Sequence, residues 1–599
     1  MMYETIINKI YKISSNYVDL QYILGSAFLK KSNVDYSRDT YLKKKFDKLD
    51  LTQVSKIEKI LPKTFTIEEL IKLYEILVPK TERQINGVYF TPAFIKNYIS
   101  LRALDKFEFI PQVCDPSCGC GSFLYTVAIE MHHKYKISYK EVFEKYIYGC
   151  DIIQNNIEKA KILFKILGLI NGEIISNFNL ISCNSLSSNF KFGKKKKFDI
   201  VIGNPPYVRA KNINEESKNY LNAWHTSTSG NPDLYIPFYE LGLSILKDNG
   251  VLGYISPNTF LISSNGKLLR NYLLDNSNNI EIIDFKSYKV FKKIMTYTCI
   301  VLVNANSNNK VLKYTTNKND ILSSLEFNDY NYYDLYNNTW RIVKKKDNEV
   351  INKLEQFEFK LENLIIRNGI ATLKNDLYIF TPIKEDEKYY YRVYNNKKYK
   401  IEKEICRDIV KPNILKNEKV IFPYKSINKK FVVIDENDMI FKYPKTYDFF
   451  CDNKNVLLER DKGNKKYPAW YAFGRTQGLN CFGKKMFIPY LSDKCYSVIT
   501  NNENLLFYCG YSIMENDFIE LKLLKKILES KLFDFYIKKV SKPYSGGFYS
   551  YAKNYIKKFS LPKLTNEQKE YLLKEKKSKN INEFLCEIYG IDIDLIDEK

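Results

Sequence analysis

Residues 198–207 read Phe-Asp-Ile-Val-Ile-Gly-Asn-Pro-Pro-Tyr, an apolar run that ends in Asn204, Pro205, Pro206 and Tyr207. Such a run predicts a buried strand, and ligands bind at the carboxyl ends of strands in open α/β sheets. The two prolines fix the backbone and remove two N–H donors. The Asn204 amide oxygen and the Pro205 carbonyl can then converge as acceptors, and Tyr207 supplies a flat face. That combination fits an amino group on a planar ring, whose two hydrogens need acceptors and whose ring needs a stacking partner. A chance strand-to-turn junction can contain Pro-Pro. The four-residue order after an apolar strand makes the chemical reading the stronger one.

Two upstream segments carry matching chemistry. Residues 113–124, Val-Cys-Asp-Pro-Ser-Cys-Gly-Cys-Gly-Ser-Phe-Leu, follow a predicted strand and open a helix. Gly119 and Gly121 let the backbone turn tightly and approach a ligand with no Cβ in the way. Asp115 beside them can hold a cationic amino group. By itself such a loop reads equally well as a structural turn. Residues 148–152, Tyr-Gly-Cys-Asp-Ile, end a second predicted strand in Asp151. A carboxylate there can accept from both hydroxyls of a ribose, although an acidic helix cap is its common structural alternative.

These residues need a scaffold that brings strand ends together. From Pro111 to about Asn304 short apolar runs alternate with helical patterns, such as 154–167 and 235–246, which predicts a mostly parallel sheet with helices on both faces. Residues 1–85 read as helical, with apolar residues at helical spacing in 17–24 and 67–77. After Val303 the chain turns Asn- and Lys-rich, and 306–350 is expected to connect the sheet to a second domain over 351–562. Residues 563–599 read as a polar helical tail.

At 599 residues the chain is long enough for two or three domains. Its 12 cysteines follow no disulfide or zinc spacing, and with 3 histidines a His-rich metal site is excluded; no metal is expected. There is no apolar run of about 18 residues and no basic-then-apolar start, so a cytoplasmic protein without a membrane segment is expected. The net charge of +24 suits a polyanionic partner, although a Lys-, Asn- and Ile-rich composition throughout could produce it too.

Taken in order, these motifs resemble the amino-methyltransferase family of DNA methyltransferases in its gamma arrangement, similar to TaqI-like enzymes and to the methylase halves of Type IIG restriction enzymes. The resemblance covers about 85–305 and implies a Rossmann-like S-adenosylmethionine-dependent methyltransferase domain, 86–305, between the helical N-terminal region and a mixed α+β target-recognition domain. Residues 87–92, Gly-Val-Tyr-Phe-Thr-Pro, match the family's first motif, so Tyr89 and Thr91 are expected at the methionine part of the cofactor. Asp115, Ser117, Cys118, Gly119 and Gly121 match the cofactor loop, Asp151 and Ile152 the ribose end. Asn184, followed by Ser185, falls where the family often has an Asp that binds the cofactor's adenine; Asn departs from that pattern. Asn204 and Pro206 are expected to touch the cofactor as well as the target. Residues 233–235 and 250–257 resemble the next two family elements. Phe291 lies where TaqI-like enzymes stack a Phe on the extruded base, and a core Phe is its plain alternative.

The resemblance implies methyl transfer to N6 of adenine in double-stranded DNA, within a restriction-modification or orphan system, with a separately encoded restriction endonuclease as a conceivable partner. An initial Asn rather than Ser favours adenine over cytosine. The same tetrad also serves RNA and protein-glutamine methylation, and a non-catalytic DNA-specificity subunit is the third alternative. In the C-terminal half, residues 470–480 and 542–551 look like target-recognition phrases, in which Arg475 and Gln477 suit base edges and Lys542 and Tyr544 suit a phosphate track. Residues 478–485 nearly spell a P-loop but end in Lys where Ser or Thr should bind magnesium, so no ATPase is expected. Residues 1–85 lack a paired-carboxylate-plus-Lys motif, so no fused nuclease is expected there.

Overall fold

The computed structural model describes residues 2–14, 17–77, 90–277 apart from 189, 191 and 193–195, then 279–291, 296–304, 310–335, 339–412 apart from 341, 418–463 apart from 429, and 466–597. They form two compact units, Met1–Ile342 and Val343–Lys599. No described helix is long and apolar enough to cross a membrane.

The first unit is built on a nine-stranded sheet. Its strands are β1 (Val113–Asp115), β2 (Ile147–Asp151), β3 (Asn179–Ser182), β4 (Phe198–Gly203), β5 (Leu246–Pro257), β6 (Asn279–Asp284), β7 (Thr298–Asn304), β8 (Val311–Thr316) and β9 (Asn328–Asn331), in the order β3-β2-β1-β4-β5-β7-β6-β8-β9. From β3 to β5 every pairing is parallel. β7 runs antiparallel between β5 and β6. The chain therefore starts at β1, builds outward to β3, and returns to the other side of β1 with β4. The β1–β4 junction is the switch point at which α/β sheets open a ligand crevice. β4 is buried on both faces and, apart from Asp199, which pairs with Lys247, it is apolar without alternation: Phe198, Ile200, Val201 and Ile202 are at most 1% exposed.

The expected boundary at 305 falls inside this sheet. β8 pairs in parallel with β6, and β9 closes on β8. Leu312 and Tyr314 alternate inward along β8, a signal that the surrounding Asn- and Lys-rich composition hides. The stretch expected to connect two domains thus begins as the sheet's far edge.

The N-terminal helices, among them Tyr17–Lys31, Leu51–Ile60 and Ile67–Ile76, enclose a core that takes in Ile162, Ile166 and Cys120. They therefore pack directly on the helix Gln154–Ile170 and on the glycine loop. Thr66 starts the last of them with a capping box closed by Glu69. A buried ion pair crosses the same seam: Lys165 Nζ meets Asp39 Oδ2 at 2.9 Å and also donates to the Ile175 carbonyl at 2.6 Å.

In the second unit, strands 366–368, 510–514, 485–489 and 498–500 make an antiparallel sheet whose core includes Met486 and Ile513 with Leu524 and Phe533. Leu572, Leu585 and Tyr589, from the stretch expected to be a polar tail, are buried in that core, so residues 566–589 are part of this unit. A second core surrounds the mixed sheet of strands 379–380, 418–421, 406–410 and 506–507.

Replacing Lys165 by Met would leave Asp39 buried and unpaired, a loss of about 3–5 kcal/mol. Urea unfolding followed in the first unit is expected to show that loss, and adding Asp39→Leu is expected to recover most of it.

Candidate active site

The carboxyl ends of β1, β2 and β4 converge on one cleft of about 1220 Å³, open mouth included. Thr91, Asp115, Ser117, Cys118, Gly119, Asp151, Ile152, Asn184, Ser185, Asn204 and Pro206 all line it, so the structure brings these sequence-predicted residues together. Tyr89 lies outside the described residues. Gly121 stands behind the loop: at φ +82, a Cβ there would meet Phe164 Cζ at 2.7 Å. Helix and loop can close on each other only because residue 121 is glycine.

Asp115 ends β1 with 2% exposure. Its Oδ1 accepts from the Ser117 amide at 2.9 Å, and the Ser117 hydroxyl lies 3.5 Å from both that oxygen and the Asn204 carbonyl. The Asp115 loop and the Asn-Pro-Pro-Tyr turn therefore meet through one serine. Gly203 makes the approach possible, because a Cβ at 203 would sit 2.6 Å from Asp115 Oδ1. Burial pushes the Asp115 carboxyl up to about 8, and the nearby Asp151 charge adds to the rise while the Ser117 amide opposes it. A carboxyl held this way, with no cationic side chain stabilising it among the described residues, fits an arriving ammonium group.

Asp151 ends β2 and is gripped from three sides. The Gly119 amide donates to Oδ2 at 3.0 Å, while the Ile153 amide and the Asn156 side chain donate to Oδ1 at 2.9 and 3.0 Å. Burial still raises its pKa. Asn156 was not singled out in the sequence, although an Asn on the first turn of the following helix is a local signal. At the third strand Asn184 Oδ1 accepts from the Leu186 amide at 3.1 Å, and Nδ2 donates to Ser217 at 3.2 Å. Its amide oxygen is thus partly engaged. The Ser185 hydroxyl donates to the Pro116 carbonyl at 2.5 Å, so this side chain ties two loops while lining the cleft.

Pro205 and Tyr207 are buried and Pro206 is half-buried. The Tyr207 hydroxyl donates to the Ile255 carbonyl at 3.2 Å, and its ring meets Phe291 edge to face with centroids 6.0 Å apart. Phe291 is 6% exposed and belongs to the core cluster of the sheet. Phe291 is therefore a core residue that also packs on the Tyr207 ring. Leu234 donates to the Val208 carbonyl at 2.8 Å, which fastens the 233–235 element to the turn.

The C-terminal candidates lie in the second unit. Arg475 is ion-paired with Asp461 at 2.8 Å and donates to its neighbour's carbonyl, and Gln477 Nε2 donates to the Gly369 carbonyl at 3.2 Å. Both side chains already hold their own loops. Lys542 lies 5.5 Å over the Tyr544 ring, on a hairpin turned by Gly546 and Gly547 at φ +85 and +78.

A sequence model of the family described as Eco57I restriction-modification methylase matches residues 124–291. The Type II restriction enzyme and methyltransferase RM.Eco57I of Escherichia coli is 28% identical over 472 residues, 67% of this chain and 47% of that enzyme. The chain thus spans about half the length of that relative. The Type II methyltransferase M.BstVI of Geobacillus stearothermophilus is 24% identical, over 66% of this chain and 74% of its own. Among solved structures, the Type IIL restriction-modification enzyme MmeI in complex with DNA shares the fold with a TM-score of 0.59 at 12% identity, over 96% of this chain and 87% of that one. A nuclease-deletion mutant of the Type ISP enzyme LlaGI with a DNA substrate mimic gives 0.55 at 12% identity, over 93% and 62%. The chain shares the fold of these restriction-modification enzymes.

The buried acid has a pH signature. With an ordinary value of 3.8 and a folded value of about 8, Asp115 holds a proton in the folded chain that the unfolded chain releases. Stability from this group is therefore full below about pH 4 and is lost as the pH rises to about 8. The urea midpoint of the first unit is expected to fall less steeply between pH 5 and 8 in Asp115→Asn than in the unaltered chain; equal slopes would count against the buried, uncompensated carboxyl.

Proposed function

We propose that this chain transfers a methyl group from S-adenosylmethionine to N6 of an adenine flipped out of duplex DNA, as the modification enzyme of a restriction-modification or orphan system. The observation that carries the reading is the junction of β1 and β4, where Ser117 joins the Asp115 loop to Asn204-Pro205-Pro206-Tyr207. The residues on the cleft suit each part of the cofactor. Asp115 would take the ammonium group, Asp151 the ribose hydroxyls, and Asn184 with Ile152 the adenine end. S-adenosylmethionine, when bound, supplies a methyl group on a sulfonium that is already a good leaving group.

The chain's own residues then have one task, which is orientation. Asn204 Oδ1 and the Pro205 carbonyl accept the two amino hydrogens of the target. The amino lone pair is thereby turned out of the ring plane toward the cofactor loop that Ser117 holds alongside. Tyr207, braced by Ile255 and Phe291, supplies an aromatic wall that offsets part of the stacking a flipped base loses, about 1–3 kcal/mol. Flipping itself costs a few kcal/mol. No covalent enzyme intermediate is needed, because the methyl is activated before it arrives.

DNA is favoured over RNA or a protein glutamine because relatives named as Type II enzymes match about two thirds of the chain. That unit would recognise the target sequence. Lys542 and Tyr544 would then contact the backbone, and Arg475 and Gln477 would reach bases only by giving up the bonds they make here. Adenine is favoured over cytosine by Asn204 as the first motif residue. A restriction endonuclease encoded elsewhere, and a cytoplasmic site of action on chromosomal DNA, follow from the same reading.

Asn204→Ala is expected still to bind S-adenosylhomocysteine, since the other cleft residues remain, and to transfer labelled methyl to DNA about 100-fold more slowly or worse, the scale for losing one orienting hydrogen bond at a reacting group. Tyr207→Ala should show a smaller loss. Unaltered transfer by both would sink the assignment of the tetrad.

A further inference from the structure

The cleft contains an acid that the proposed function does not use. Glu75, at the end of the helix Ile67–Ile76, lines the same cleft as Asp115 and Ser117, although it comes from the helical N-terminal region. It is 8% exposed, as is Lys96 from the helix Ala93–Leu104. Lys96 Nζ donates to the Ser122 hydroxyl at 2.6 Å and approaches the Ser122 carbonyl at 3.4 Å. The Lys96 charge and the Ser122 hydroxyl both act on the Glu75 carboxyl. A lysine, a hydroxyl and a carboxylate are thus buried together beside the glycine loop, at the first residue of the helix Ser122–Tyr135. Next to it Cys120 packs into the core of the N-terminal helices, so the loop and the Glu75 helix are one packed body.

A buried ion cluster that served packing alone would face away from solvent on every side. Here the acid stands on the wall of an open cleft and the lysine lies behind it. Burial pushes the Glu75 carboxyl up to about 7, against the opposing pull of Lys96 and the Ser122 hydroxyl. Asp115 on the same cleft is likewise raised by burial. Two strained acids on one cleft match a ligand that brings positive charge, and the amino-acid end of S-adenosylmethionine brings an ammonium group.

We propose that Glu75 is a second acid for the cationic α-amino group of the cofactor, acting beside Asp115 and set in place by Ser122 and Lys96. The proposal rests on the reading of the cleft as an S-adenosylmethionine site. It makes the helical N-terminal region a wall of that site, so that loss of its packing costs cofactor affinity as well as stability.

The test is calorimetric and uses the full chain with two ligands, S-adenosylhomocysteine and its analogue lacking the α-amino group. In Glu75→Gln the amine-bearing ligand is expected to bind about 10-fold or more weakly, the scale for losing a hydrogen bond to a charged group, while affinity for the deaminated analogue stays where it was. Glu75→Gln combined with Lys96→Met removes both buried charges and should give the same pattern in a chain that has no unpaired buried lysine. Unchanged affinity for the amine-bearing ligand in either folded variant would overturn the proposal. Equal weakening for both ligands would overturn it too, because that is what a purely structural role produces. Failure of the unaltered chain to bind either ligand would remove the cofactor reading itself, and this inference with it.

Discussion

The carboxyl of Asp115 is buried directly against Gly203, and the rest of the site is arranged around that contact. β1 and β4 are neighbours at the point where the sheet's strand order reverses, so their two ends share one crevice. One strand ends in the acid of the glycine loop, and the other ends in the turn that presents Asn204. A side chain at 203 would push these ends apart by colliding with the carboxylate. With glycine there, the loop and the turn come close enough for the Ser117 hydroxyl to reach both. The separation of the Asp115 loop from the Asn204 turn is thereby set by backbone packing.

Two buried carboxylates on adjacent strand ends are costly, and the chain stabilises them with backbone dipoles more than with cations. The Ser117 amide serves Asp115, and the Gly119 and Ile153 amides serve Asp151. Gly119 turns through φ +54 to aim its amide, and among the described residues no atom beyond its chain neighbours lies within 4 Å of where its Cβ would be. The N-terminal helices brace the loop from behind through Cys120, Ile162 and Ile166. A region that looks accessory in the sequence is thus part of what keeps the loop's shape.

What could be read in the sequence was what is local. Asn204-Pro205-Pro206-Tyr207, Asp115 with its glycines and Asp151 each announce themselves within a dozen residues, because strand end, turn and helix start are consecutive. Glu75 gives no such signal. It reaches the cleft across 40 residues of chain through the packing of two helices on one loop. Ser217, which holds Asn184, is distant in the same way. β8 and β9 were missed because alternation over six residues is faint inside an Asn- and Lys-rich stretch, and strand pairing to β6 is a tertiary fact. Arg475 and Gln477 show the converse: their types suit bases, yet in this structure they bond Asp461 and the Gly369 carbonyl. Phe291 could be placed near Tyr207 only by the resemblance, since 84 residues separate them.

The central claim is that the β1–β4 crevice delivers a methyl group to the exocyclic amine of adenine in DNA. The direct measurement is nucleoside analysis of duplex DNA, incubated with the purified chain and methyl-labelled S-adenosylmethionine and then digested to its four nucleosides. Label in N6-methyladenosine of the deoxy series is the expected result. Label confined to N4-methylcytosine, or absent from DNA while the cofactor binds, would contradict it.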